Sequence, residues 1–229
     1  MASSSVSVER HGAVVEVELR RPERRNALTA SSIAELTRIF RTLTSADVGA
    51  VLLHGGDFFS AGLDLSELAD GPPPIEEWLG AHRALAAIEA PVVACLLGGA
   101  INAGAALVLA ADLVVAGENS YLQIKEAEMG MVPTVNAAWL AIRHSSEVGL
   151  QLALSCQRVH GPELRRMRVA TEVVADDEAL THTRQLVDRL SRYPQAGAAR
   201  TKGILSAARG ARESFDTALD AALKYSQRT

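Results

Sequence analysis

Hydrophobic and polar positions change period several times along the chain, and each change predicts an element. Val6 and Val8, then Val15, Val17 and Leu19, alternate with polar residues on either side of Arg10-His11-Gly12. This period of two marks an N-terminal hairpin. From Thr29 the spacing becomes helical: Ile33, Leu36, Ile39, Phe40 and Leu43 share one face behind a threonine suited to cap the first turn. Residues 49–53 predict a strand, and a loop over 58–65 leads to the break GPPP at 71–74. That break reads as a mobile surface loop within the domain, because a helix through Trp78, Ala81 and Leu85 resumes after it. Residues 113–116 predict another strand. From Asn136 onward helical periodicity dominates, with Ile204, Phe215, Leu219 and Leu223 on such faces. Strands alternating with helices and followed by a helical tail predict an α/β fold with parallel pairing and right-handed crossovers. A core domain over 1–190 and a helical segment over 191–229 follow, and no internal sequence repeat is visible.

The stretch 91–116, PVVACLLGGAINAGAALVLAADLVVA, carries the most information. Residues 92–111 nearly satisfy a transmembrane helix in length and charge, but Pro91 opens the run, glycines and Asn102 interrupt it, and no basic residues flank it. A division into a buried strand (92–97), a Gly98-Gly99 turn and a helix over about 103–110 fits better, with Asn102 as the N-cap. The first N–H groups of such a buried helix form a place to hold an oxyanion.

At 229 residues, 48% of them hydrophobic, the chain can bury one substantial core. A formal net charge of -4 argues against a nucleic-acid binder. Arg20, Arg21, Arg24 and Arg25 cluster around Pro22 in a strand-ending loop. They form either a solvated turn or a phosphate-binding rim. Cys95 and Cys156 sit in apolar surroundings without metal or redox spacing, as core residues of a reducing compartment would. The N-terminus MASSSVSVER lacks the basic start and apolar core of a signal peptide, so a cytoplasmic protein is expected. The six histidines show neither H-x-H nor H-E-x-x-H spacing, and no G-x-S-x-G elbow is present, so neither a metal site nor a serine hydrolase is expected.

Three motifs in order resemble the crotonase superfamily, the enoyl-CoA hydratase/isomerase family. They are RPERRNAL at 21–28, FSAGLDL at 59–65, and the central stretch with Gly98, Asn102-Ala103-Gly104 and Ala111-Asp112, similar to G-x-A-x-G-[GA]-G followed by a run ending in C/A-D. The resemblance spans roughly residues 5–210 and implies a spiral core of repeated ββα units with a C-terminal helical region. It implies a coenzyme A thioester as substrate, with no permanently bound cofactor. The backbone N–H groups of Ala61 and Ala103 would form an oxyanion hole for the thioester enolate. Arg24, Arg25, Ala27, Gly62, Leu63, Asp64, Leu65 and Gly99, together with Ala61 and Ala103, would contact the CoA ester. A homotrimer or hexamer is implied as well, with no nucleic-acid or membrane partner.

The acid–base residues decide the reaction. Hydratases of this family resemble one another in carrying two glutamates around a water. Here Ala106 stands in the first position. In LQIKEAEMG at 122–130, Glu126 occupies the second, four before Gly130. Glu128 would point elsewhere on a regular helix. One carboxylate can move one proton, as in the family's Δ3,Δ2-enoyl-CoA isomerases, and burial would raise its pKa to suit that work. Dienoyl isomerases and dehalogenases would need an aspartate where Thr134 stands. The alternative for Glu126 is a surface residue beginning a helix. Trp78, Met129, Met131 and Trp139 either line an acyl pocket or belong to the core. In place of the Gly-Gly pair usual after Pro133 the chain has Thr134-Val135-Asn136-Ala137, and it stops early relative to the family. An isomerase using Glu126 alone is therefore favoured. The alternatives are an acyl-CoA-binding member with little or no turnover, and a weak hydratase or other enolate-forming enzyme.

Overall fold

The computed structural model describes residues 4–43, 47–67, 75–210 and 214–226. The 71–74 break lies outside the described residues. The expected hairpin is β1 (Val6–His11) against β2 (Val14–Leu19), antiparallel, with Gly12 at φ 62 in the turn. Helix α1 (Ala30–Thr42) begins as expected, the Thr29 side chain accepting from the Ser32 N–H. There follow β3 (Ala50–His54), α2 (Ile75–Ala86), β4 (Val92–Leu96), β5 (Gly99–Ile101), α3 (Ala103–Ala110), β6 (Leu113–Gly117), β7 (Tyr121–Gln123) and α4 (Thr134–Arg143). The remainder is α5 (Ser146–Ser155), β8 (Val159–His160), α6 (Gly161–Arg166), β9 (Glu172–Val174), α7 (Ala179–Ser191), α8 (Gln195–Gly210) and α9 (Phe215–Ser226).

A six-stranded sheet runs in the order β1-β2-β3-β4-β6-β9, parallel from β2 onward, and a three-stranded sheet in the order β5-β7-β8. The chain repeatedly gives a strand to the large sheet, a short one to the small sheet, and then a helix: β4, β5, α3 and again β6, β7, α4. These are the expected ββα units. The short strands β5, β8 and β9 lie where the sequence suggested turn or helix. Three residues, or two, are too few to show a period, and their pairing partners supply the order.

The central strands read as unbroken apolar runs because both faces are covered. Along β4, Val92, Ala94 and Leu96 face the larger core with α1 to α4, while Val93 and Cys95 face a second cluster made with Ala179, Leu186 and Val187 of α7. Cys95 and Cys156 are both buried and unbridged. Helix α3 is buried at every residue, the pattern of a core helix. Among the described residues no helix is long and apolar enough to cross a membrane. Trp78 and Trp139 are core: the Trp139 indole donates to His82 Nδ1 at 2.9 Å and stacks on Phe215 at 4.3 Å, tying α2, α4 and α9 together. Burial pushes the His82 pKa down to about 3, so this residue packs as a neutral ring. Met129 and Met131 are exposed, as is Ile204, which the helical pattern had placed on an apolar face.

Helix α3 seats against the 58–65 loop at Gly104, where a Cβ would stand 2.6 Å from the Ser60 carbonyl oxygen. Gly104→Ala is expected to lower stability by about 1–3 kcal/mol through overpacking. Chemical denaturation measures this, and an unchanged midpoint would mean that the loop is not seated on the helix.

Candidate active site

Asn26 clips the first two motifs together. Its carboxamide oxygen accepts from the Arg21 N–H at 2.7 Å, and its nitrogen donates to the carbonyls of Gly55 (2.7 Å) and Phe58 (2.6 Å). Ser60 Oγ donates to the Asn26 carbonyl, while Leu28 and Asp64 exchange backbone bonds with the facing loop. Arg21 spans the same junction, donating to the Ala27 carbonyl and to Asp64 at 3.0 Å. Hydrogen bonds from Ser66 and Arg21 hold the Asp64 carboxyl below its ordinary pKa despite burial. Asp64, expected as a CoA contact, is buried and bonds Arg21 and Ser66 within the protein. Arg24 and Arg25 remain exposed and form no ion pair among the described residues; the Arg25 guanidinium lies 5.7 Å from the Phe58 ring centroid. Ala27 and Leu63 are half-buried, Gly99 is buried, and Leu65 is exposed.

The third motif meets this platform at Gly62. With φ 94, a Cβ on Gly62 would stand 2.9 Å from the Ile101 carbonyl oxygen and 3.6 Å from the Ala103 nitrogen, so only glycine leaves room. The Ala103 N–H opens α3 and has no acceptor among the described residues. Ala61 differs from expectation: its N–H donates to the Arg25 carbonyl at 2.9 Å. Arg25 and Asn26 both hold positive φ (49 and 53), which turns that carbonyl onto the loop. The conformation therefore presents one open donor rather than two.

Asn102 is not a side-chain cap. It holds φ 49 and ψ -110, a costly backbone for an L-residue, and its side chain turns away from the helix to accept from the Lys125 N–H at 2.8 Å. Its own N–H donates to the Gln123 carbonyl at 2.9 Å, and its carbonyl accepts from the Ala106 N–H at 3.1 Å. This places the segment after β7 beside the start of α3.

Glu126 stands on that segment, opening a turn closed by the Met129 and Met131 N–H groups on its carbonyl. The surface alternative for Glu126 does not hold. The residue is half-buried, its Oε1 accepts from Asn136 Nδ2 at 3.0 Å, and its Oε2 is buried without a partner among the described residues. Burial raises its pKa, partly offset by the N–H groups of Glu126 and Lys125 and by the Asn136 amide. Glu128 is exposed and faces Lys125 across 3.8 Å. Ala106 is fully buried on α3. No cluster of His, Cys, Asp or Glu among the described residues could hold a metal ion.

Asn26, Ser60 and Asn136 escaped the sequence reading of the site. Asn26 lies inside a motif, and Asn136 in a segment noted only for lacking glycines; a buried amide announces itself only through its partners. Two clefts, of about 330 Å³ beside Trp139 and Phe215 and about 590 Å³ beside Tyr193 and Leu205, include none of the expected catalytic or CoA-contact residues.

The raised pKa has a consequence for stability. Folding favours the protonated carboxyl; that contribution is fully present below the ordinary value of 4.5 and is lost as pH rises through the raised folded value. Glu126→Gln mimics the protonated group, so it is expected to melt higher than the parent at pH 8, with the gap closing toward pH 4.5. Thermal melts across this range test it, and a variant less stable at every pH would show that the ionised group supports the fold.

The match to known proteins covers the whole of this arrangement. The sequence pattern of the family described as enoyl-CoA hydratase/isomerase matches residues 9–228. A carnitinyl-CoA dehydratase of Proteus mirabilis is 28% identical over 212 residues, 90% of this chain and 81% of that protein. A probable enoyl-CoA hydratase of Mycobacterium bovis is 26% identical over 234 residues, 100% of this chain and 89% of its own. The crystal structure of an enoyl-CoA hydratase from Mycobacterium avium subsp. paratuberculosis superposes with a TM-score of 0.86 at 27% identity, covering 98% of this chain and 91% of that one. The chain belongs to the enoyl-CoA hydratase/isomerase family, the crotonase superfamily.

Proposed function

We propose that the protein binds a 3-enoyl-CoA thioester and isomerises it to the 2-enoyl ester, with Glu126 as the single acid–base group. The observation that carries this reading is one half-buried carboxylate whose buried Oε2 has no partner among the described residues, in a site where Ala106 stands in place of a second carboxylate. In this reading the thioester oxygen accepts the Ala103 N–H, and Glu126 removes a proton from C2. The electron pair spreads over the C3–C4 double bond as a dienolate. Returning the proton at C4 leaves the double bond between C2 and C3, and the carboxylate ends as it began. Atoms and charge balance with no water consumed. A raised pKa makes the carboxylate a stronger base for an α-proton. The relatives named hydratase and dehydratase belong to the same family, but water addition asks for a second group to hold the water, and Ala106 offers none.

Arg24 and Arg25, exposed at the rim of the clipped loops, are the proposed contacts for the CoA phosphates. A second reading, acyl-CoA binding with little turnover, draws on the Ala61 N–H, which is committed to the Arg25 carbonyl. Under the first reading a bound thioester oxygen displaces that carbonyl; under the second it does not.

In heavy water, 3-enoyl-CoA esters of several chain lengths are expected to give deuterated 2-enoyl product. Glu126→Gln should lower the rate by roughly a hundredfold to ten-thousandfold, the usual worth of a positioned acid–base group. Measurable binding with no isomerisation and no deuterium uptake at any chain length would decide for the second reading. For the rim, CoA should bind more tightly than dephospho-CoA by calorimetry, and Arg24→Ala with Arg25→Ala should narrow the difference. Equal affinities would remove the 3'-phosphate contact.

A further inference from the structure

Asn136 lies near the start of α4, and nothing in the isomerase reading requires an amide there. In the structure it is 2% exposed, and its Nδ2 lies 3.0 Å from Glu126 Oε1 and 3.2 Å from the Asn102 carbonyl oxygen. Two acceptors against one atom identify that atom as the nitrogen, since the amide oxygen could donate to neither. Both of its hydrogens are then used. The Asn102 carbonyl belongs to the same peptide as the Ala103 N–H, and in a planar trans peptide the two point in opposite directions. Fixing the carbonyl therefore fixes the N–H, and a bond accepted by the carbonyl polarises the peptide toward stronger donation. On the carboxyl side, occupying Oε1 leaves Oε2, which has no donor among the described residues, as the oxygen open to a substrate proton.

We propose that Asn136 is the positioning residue of this site: its single amide nitrogen locks the Glu126 carboxyl to the peptide that presents the Ala103 N–H and selects Oε2 as the proton-carrying oxygen. The inference rests on Glu126 being the acid–base group. Asn102 completes the brace from the other side through the Lys125 N–H, so the donor peptide and the carboxylate are tied at two points.

Charged neighbours do not supply this control. Helix α3 presents only Ala, Gly, Leu and Val; Arg143 of α4 bonds Asp112; Lys125 and Glu128 face each other; and His82 of α2 is buried and neutral. Among the described residues the Asn136 amide is the one side-chain hydrogen-bond donor acting on Glu126, and it favours the ionised form against burial.

The test is the titration of the Glu126 carboxyl, followed by carbon-13 NMR in the full chain and assigned by its loss in Glu126→Gln. Asn136→Leu removes the donor while keeping bulk, and Asn136→Ala removes both. In each variant the midpoint should rise by about one pH unit, the size of one lost hydrogen bond to an ionised group. The acid limb of kcat for 3-enoyl-CoA should move up by the same amount, so that kcat on that limb falls about tenfold with KM little changed. A midpoint unmoved in both variants, or a loss confined to KM, overturns the proposal. If the parent protein isomerises nothing, the functional reading fails, and the NMR midpoint alone still decides the role of Asn136.

Discussion

The peptide joining Asn102 to Ala103 is where the structure concentrates its constraint. Its first residue holds a backbone conformation unfavourable to an L-amino acid, and such a conformation persists only when surrounding bonds over-determine it. Here they do: the Asn102 N–H, carbonyl and side chain bond Gln123, Ala106, Asn136 and Lys125, drawn from β7, α3, α4 and the segment between them. Releasing that peptide would loosen the start of the buried helix, the seat of Gly62 beside it, and the turn carrying Glu126. The site is thus a property of one strained joint and the elements that hold it.

Burial explains why so few polar groups suffice. Helix α3 is apolar on all sides and brings no charge near the carboxylate, so each hydrogen bond acts in a medium that screens it poorly. In such surroundings one amide can hold a carboxyl in place, and burial raises the pKa of that carboxyl. The same dryness makes a half-satisfied network costly. That cost falls on Glu126 Oε2 and Asn136 Oδ1, two buried acceptors without partners among the described residues.

The loops clipped by Asn26 and Arg21 show a different economy. Residues that a motif marks as ligand contacts spend their hydrogen bonds on each other: Asp64 on Arg21 and Ser66, and the Ala61 N–H on the Arg25 carbonyl. A motif records which residue types the local geometry requires. It does not separate those that build the platform from those that face a ligand.

The hairpin, α1, the buried β3 and β4 runs and the all-apolar α3 were legible because burial on one face or on both writes a period into the sequence. The three motifs marked the loops that meet at Gly62, and Ala106 with Glu126 pointed to one candidate carboxylate. Only the tertiary structure decided the rest. Strands of two or three residues carry no period, so β5, β8 and β9 exist by virtue of their partners. Asn102 looked like a cap until its backbone proved to turn its side chain toward Lys125, and Asn136 looked like a missing glycine until α4 carried it to Glu126. The physical reason is the same in each case. Apolar burial is a one-body property that a residue displays by its type, whereas a hydrogen bond between residues 102 and 136 or 126 and 136 is a two-body property, and only the fold creates the pair.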